Sequence, residues 1–357
     1  MRRSTTAIAG TRGRSGARQR VARGRRALGP GATSTATGSG QTVAIIDWRN
    51  DPTIASDLGV FDSHYRLATC TIANGCLNVL DQNGAASPPP PDEGGAGEIS
   101  LDVETVHAVC QKCRIDMIEV DDSSNPSVET GVNEAVKLGA TEVSTSYGGP
   151  DPAGGPSAAD KAAYNHRGVV ITASTGDDGY DSYDWWIKTP SGGPAANPTA
   201  PNFPAELATV VSVGGTSLFS NQDGTRQYET VWNDNGPQAE YEQALGQPLG
   251  ASGGGCSLFV AAPSWQRQLS SWPKTGCGTK QLAADVSAVA DPFTGFDTYN
   301  ASDGGTGWAT VGATSLASPL IAAMFALAGG SHGTAYPALT LYGHLGKASL
   351  YDVTVCA

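Results

Sequence analysis

The sequence predicts an α/β protein with a mostly parallel central sheet and helices on both of its faces. Two observations carry this. Short apolar runs of strand length recur along the chain, among them TVAIID (42–47), DMIEVD (116–121), VVITAST (169–175) and ATVVSVGGTSL (208–218). Between them lie runs with helical spacing of apolar residues, and strands that alternate with helices make parallel sheets covered on both sides. Gly and Pro, 46 and 22 residues in a chain of 357 that is 39% hydrophobic, fit a compact, loop-rich domain.

TVAIID is apolar from Val43 to Ile46 and closes on Asp47, the pattern of a strand buried on both faces. A Pro-rich loop, SPPPPDEGG (87–95), introduces a helix in GEISLDVETVHAV, where Ile99, Val103 and Val106 share the core-facing side. DMIEVD is the next strand, and SVETGVNEAVKLGA (127–140) a helix closed by Gly139. EVSTSYGG, a helix around SAADKAAYNH, VVITAST and ATVVSVGGTSL follow in alternation. Stretches 180–205 and 216–256 read as surface loops because Gly, Pro and Trp crowd them. A final apolar helix spans Ser315–Leu327, with Pro319 placed in its first turn, where proline is tolerated. There is no internal repeat.

The formal net charge of −12 conceals a division. Nine of the 22 Lys+Arg fall in residues 1–40, leaving 13 against 34 Asp+Glu in the remainder, a net of −21. Such a body repels nucleic acid and repels itself least at low pH. No apolar run approaches the ~18 residues of a membrane span. Residues 1–40 are expected to be a disordered Arg-rich segment without the apolar stretch of a signal peptide, and 41–357 the working domain. Seven cysteines against three Met favour an oxidising compartment and an extracellular protein. Cys70 with Cys76, and Cys256 with Cys277, bracket short segments and make plausible local disulfides; Cys110 and Cys113 read as a third, and Cys356 is left over.

Candidate chemistry sits in two places. Glu98 and Asp102 are four residues apart, so a helix presents both carboxyls on one face, where they can share a proton. Ser315, in VGATSLASPL, opens a helix as an activated serine nucleophile would. Glu98 can accept the Ser315 proton and return it to a leaving amine, and a carboxylate base works in acid, where histidine is already charged. Each motif alone has a plainer reading: a solvated helix face for the pair, an N-cap and first turn for the T-S-x-x-x-P run.

Taken in order, TVAIIDWRNDP, GEISLDVE, VSTSYGG, ASTGDDGY, SVGGTSL, ADVSAVADP, GATSLASP and LYDVT resemble the sedolisins, the serine-carboxyl peptidases with a subtilisin-like three-layer fold. The resemblance runs from about Gln41 to Val355. It implies Ser315 as nucleophile, Glu98 as base, Asp102 as its supporting carboxylate and Asp177 as the oxyanion-hole acid, which must be protonated to donate. Asp178 stands where such proteins often carry serine, so motif position favours Asp177 over it.

The resemblance also implies an acid-acting endopeptidase, secreted and monomeric, with polypeptide substrates. It implies one Ca2+ site beginning at the Asp352 side chain and the Val353 carbonyl; its other ligands are not found in this chain, which looks truncated at the C-terminus. Trp185 and Trp186, in an apparent insertion, line either an apolar subsite or a packed loop.

Two rival readings remain. A neutral subtilase would pair Asp47 and Ser315 with a histidine, yet the helix that should bear it carries GEISLDVE, and His107 reads as a surface or packing residue. An inactive truncated relative or a secreted binding protein of the same fold is the other.

Overall fold

Val43, Ala44, Ile45 and Ile46 are all fully buried, and consecutive strand residues point to opposite faces, so both sides of this strand are covered. That arrangement organises the computed structural model, which describes residues 37–149, 154–179, 201–234, 250–302, 307–347 and 350–353. In chain order the elements are β1 (Thr42–Trp48), α1 (Ile54–Tyr65), β2 (Leu77–Asp81), α2 (Glu93–Val109), β3 (Arg114–Val120), α3 (Asn125–Lys137) and β4 (Glu142–Thr145). Then come α4 (Ala158–Ala163), β5 (Val170–Ser174), β6 (Val211–Ser220), β7 (Arg226–Val231), β8 (Gly255–Ala261), α5 (Ser264–Arg267), β9 (Lys280–Ala283) and β10 (Val286–Val289). β11 (Phe296–Asn300), β12 (Gly307–Val311), α6 (Thr314–Ala328) and α7 (Ala338–Tyr342) complete the described chain.

The main sheet has the strand order β10-β6-β5-β4-β1-β3-β2, all parallel, with β7 added antiparallel to β6. Register joins Thr42 to Arg114 and Trp48 to Val120 across β1 and β3. Val43, Ile45, Ile115 and Met117 therefore share one face, packed against Leu58 and Phe61 of α1, Val103 and Val106 of α2, and Ala322 and Ala326 of α6. Ala44, Ile46, Ile118 and Val120 share the other, under Val128 and Val132 of α3 and the rings of Tyr164 and Phe203. The expected fold class is what is found.

Helix α2 is pinned at both ends. Asp92 caps it by accepting the Gly95 N–H at 3.1 Å. A Cβ at Gly95 would lie 2.4 Å from the Trp48 carbonyl oxygen, so the first turn sits directly on the end of β1. At the far end Cys110 and Cys113 are bonded to each other; Cys70–Cys76 and Cys256–Cys277 also pair, as expected. Cys356, Trp185 and Trp186 lie outside the described residues, as do residues 1–36 of the Arg-rich segment.

Two local expectations need correction. Within 216–256, β7 is a paired strand and Trp232 is buried, while Asn202 to Ala205, part of the other supposed loop, are buried too. Pro319 is the sixth residue of α6, not in its first turn. Its missing N–H leaves the Ser315 carbonyl without a helical partner, and the Ser146 hydroxyl meets that carbonyl at 3.2 Å instead.

Candidate active site

Parallel strands end together, and side chains just beyond their C-terminal ends share one edge of the sheet. There β1 ends near Asp47, β4 runs into Ser146, and β5 runs into Gly176 and Asp177. Helices α2 and α6, on the same face, bring Glu98, Asp102 and Ser315 to that edge.

Ser315 is the second residue of α6 and 8% exposed. The residue two before it in the turn, Ala313, holds φ 88°, a left-handed value costly for a residue with a Cβ, and its N–H is donated to the Ala290 carbonyl at 2.5 Å. The Ser315 hydroxyl lies near enough to the Glu98 carboxylate to favour its ionised form. It also lies 3.5 Å from the Ser146 carbonyl. Burial is the largest influence on Glu98 and raises its pKa; the Ser315 hydroxyl lowers it, the Asp177 charge raises it, and the Ser146 hydroxyl lowers it again.

Asp102 is fully buried, so the plain reading of a solvated helix face fails for this pair. Its Oδ2 accepts the Ser146 hydroxyl at 2.5 Å. Asp47, whose sequence role lay only in the rival histidine reading, joins the pair: one carboxylate oxygen each from Asp47, Glu98 and Asp102 lies within 4.8 Å of the others. Desolvation raises Asp102 well above the usual carboxylate range, and the Asp47 and Glu98 charges add to it. Asp47 is raised well above that range for the same reasons, with Glu98 and Glu119 as the neighbouring charges.

Asp177 faces the start of α6. Its Oδ1 accepts the Thr314 N–H at 2.7 Å and the Thr314 hydroxyl at 2.8 Å, which fixes the carboxyl beside the predicted nucleophile. Burial raises its pKa, the Thr314 bonds oppose this, and the Asp178 charge adds to the rise. Asp178 is tied through a backbone bridge to Ala251.

Four of the five histidines are engaged elsewhere, and the fifth, His332, is exposed beyond the C-terminal end of α6. His107 is fully buried, not at the surface, with Nε2 at 2.7 Å from the Ala68 carbonyl and 3.1 Å from Asp62. His166 bonds the Ala163 carbonyl, His344 the Thr340 carbonyl, and His64 packs on Trp308. The remaining expected ligands do not assemble a calcium site: Asp352 is exposed, Val353 half-buried, and neither joins a cluster of three ligand groups among the described residues. Two oxygens fall far short of the ~6–8 calcium takes.

Sequence reasoning missed Asp47 as a member of the carboxyl cluster, and Ser146 and Thr314 altogether. A signal existed for the first, an acid closing an otherwise apolar strand, and for the second, a hydroxyl at the end of the buried VSTS run.

The Subtilase family model matches residues 91–340. Kumamolisin from Bacillus sp. (strain MN-32) is 31% identical over 261 residues, 68% of this chain and 41% of that protein. Xanthomonalisin from Xanthomonas sp. (strain T-22) is 30% identical over 83% of this chain and 36% of that protein. Sedolisin from Pseudomonas sp. (strain 101) is 29% identical over 87% of this chain and 51% of that protein. The chain thus spans about half the length, or less, of the curated relatives it matches. Among solved structures, Pseudomonas sedolisin, described as a serine-carboxyl proteinase complexed with two molecules of pseudo-iodotyrostatin, superposes with a TM-score of 0.69. That match covers 95% of this chain and 86% of that one at 24% identity, a likeness of fold. With a family model spanning most of its length and three sedolisin-type relatives, the chain belongs to the subtilase family, among its sedolisin-like members.

Proposed function

We propose that this protein is a serine-carboxyl endopeptidase that is secreted, acts in acid and cleaves extended polypeptides as a monomer. The observation that carries the reading is the contact between the Ser315 hydroxyl and Glu98, with Asp177 held at the start of the same helix and no histidine bonded to either. Ser315 attacks the peptide carbonyl as its proton passes to Glu98, which later gives that proton to the leaving amine. Asp102 shares a proton with Glu98 and is itself held by Ser146. The Ser315 N–H at the helix start and a protonated Asp177 donate to the oxyanion.

Acid action follows from proton counting. In carboxyl pairs that share a proton, the first ionisation falls and the second rises. Burial opposes the ionisation of Glu98, so one proton leaves the Glu98, Asp102 and Asp47 cluster in acid only because the neighbouring carboxyls keep theirs and donate to the carboxylate. Asp177 must keep its proton, and its burial supports that. Three disulfides support an oxidising, extracellular setting. No helix among the described residues is long and apolar enough to cross a membrane. Calcium has no part in these steps.

The test is hydrolysis of an unfolded protein or chromogenic peptide between pH 3 and 8 by wild type and Ser315→Ala. Activity peaking in acid and lost in the variant is expected. A peak near neutrality abolished by His107→Ala would restore the histidine reading, and an inert wild type would restore the binding-protein reading.

A further inference from the structure

The carboxyl cluster does not end at Asp47. On β1 and β3, Val43 pairs with Ile115, Ile45 with Met117, and then Asp47 with Glu119. Neighbouring parallel strands lie about 4.8 Å apart, so two acids follow two apolar pairs on the face that carries α2. Asp47 and Glu119 are both buried. Glu119 Oε1 accepts the Asp51 N–H at 3.2 Å, while Oε2 has no hydrogen-bond partner. Neither do the two Asp47 carboxylate oxygens, Asp102 Oδ1 or Glu98 Oε1.

No cation serves these groups, for none of the ion pairs among the described residues includes any of the four. Other groups facing Glu119 are acidic or neutral too. Asp51 is bonded by Thr53 and Ser100, and Asp57 lies beyond Thr53. Asp81, at the matching position of β2, accepts the Asn83 and Ala85 N–H groups. Buried carboxylates without hydrogen bonds or counter-charges cost several kcal/mol each, and protons remove that cost.

We propose that Glu119 is a positioning residue for the catalytic carboxyls, donating a hydrogen bond from Oε2 to Asp47 and so polarising the row toward Glu98. The direction follows from Oε1, which the Asp51 N–H fixes as an acceptor and which leaves Oε2 to hold the proton. Asp47 then donates to Asp102, Asp102 to Glu98, and the one negative charge rests on the carboxylate that touches Ser315. Every orphaned oxygen gains a partner in this arrangement, and serial donors strengthen one another. Burial, outweighing the Asp51 N–H bond, holds the Glu119 proton up to about 8, with the Asp51 charge adding to it, so the donor persists through the working range.

This inference rests on the peptidase reading, and the experiment separates the two. Profiles of kcat/KM against pH are measured for wild type, Glu119→Gln and Glu119→Leu, with Tm for each. Gln keeps an N–H donor toward Asp47; Leu has none. The acid limb of the Leu variant is expected to move up by about half a pH unit, roughly a threefold loss on that limb, while Gln stays at the wild-type position. Identical limbs in all three, or equal shifts in Gln and Leu, overturn the proposal.

Infrared difference spectra of Glu119→Gln against wild type give a readout that needs neither activity nor a folded Leu variant. Loss of a protonated-carboxyl band near neutral pH is expected, and an unchanged band overturns the donor role. A wild type that cleaves nothing defeats the peptidase reading alone, and the spectra still decide the state of Glu119.

Discussion

In the proposed mechanism Glu98 and Asp177 have opposite needs. The base works ionised, the oxyanion donor protonated, so activity is confined to the window between the two titrations. Asp177 sets the alkaline side, because its raised proton is lost as pH climbs. Asn at this position donates at any pH, and its carbonyl can still accept the two Thr314 bonds. Asp177→Asn is therefore expected to carry activity further into the alkaline range, and Asp177→Ala to lower kcat about 10²–10³-fold, both read from pH profiles. Ser146→Ala removes the hydroxyl that Asp102 accepts, and a kcat loss of about tenfold with little change in KM is expected. Glu98, Asp102 and Ser315 were legible in the sequence because their chemistry lies in local spacing and in motif likeness. Asp47, Ser146 and Glu119 were not, since only strand order and register bring them beside α2.

At the scale of elements, α2 places its carboxyls by lying close on the end of β1. A Cβ at Gly95 would meet backbone, the Trp48 carbonyl, which cannot rotate aside. Ala is the better helix former by at most about 1 kcal/mol, whereas overpacking costs about 1–3, so the clash wins. Gly95→Ala is expected to lower Tm and to cut kcat by moving Glu98, one turn further on, and thermal melts with kinetics check both. Periodicity found α2, α3, α4 and α6 and the strands β1 and β3 to β6. It missed helix α1, and β2 and β7 to β12, which are short and largely half-exposed, with composition close to that of loops. Pro319 was placed wrongly because its compensation, the Ser146 hydroxyl, comes from a distant strand.

For the whole molecule, the buried acids make stability a function of pH. A carboxyl whose folded pKa is raised binds protons more firmly when folded, so its contribution is intact below the unfolded value near 4 and declines as pH climbs to the folded value. Burial raises Asp285 to about 6, Glu142 to about 7 and Glu119 to about 8. Tm is therefore expected to be highest near pH 4 and to fall steadily toward pH 8, and calorimetry across that range checks the sign. A body carrying −21 outside residues 1–40 adds self-repulsion in the same direction.

Helix α6 ties the predicted nucleophile to the interior. Leu316 belongs to one apolar cluster, Ala317, Ile321 and Phe325 to a second, and Ala322, Ala323 and Ala326 to a third. A hydroxyl mounted on such a spine has no hinge of its own. On heating, turnover and tertiary structure should vanish together, leaving no inert but intact form between them.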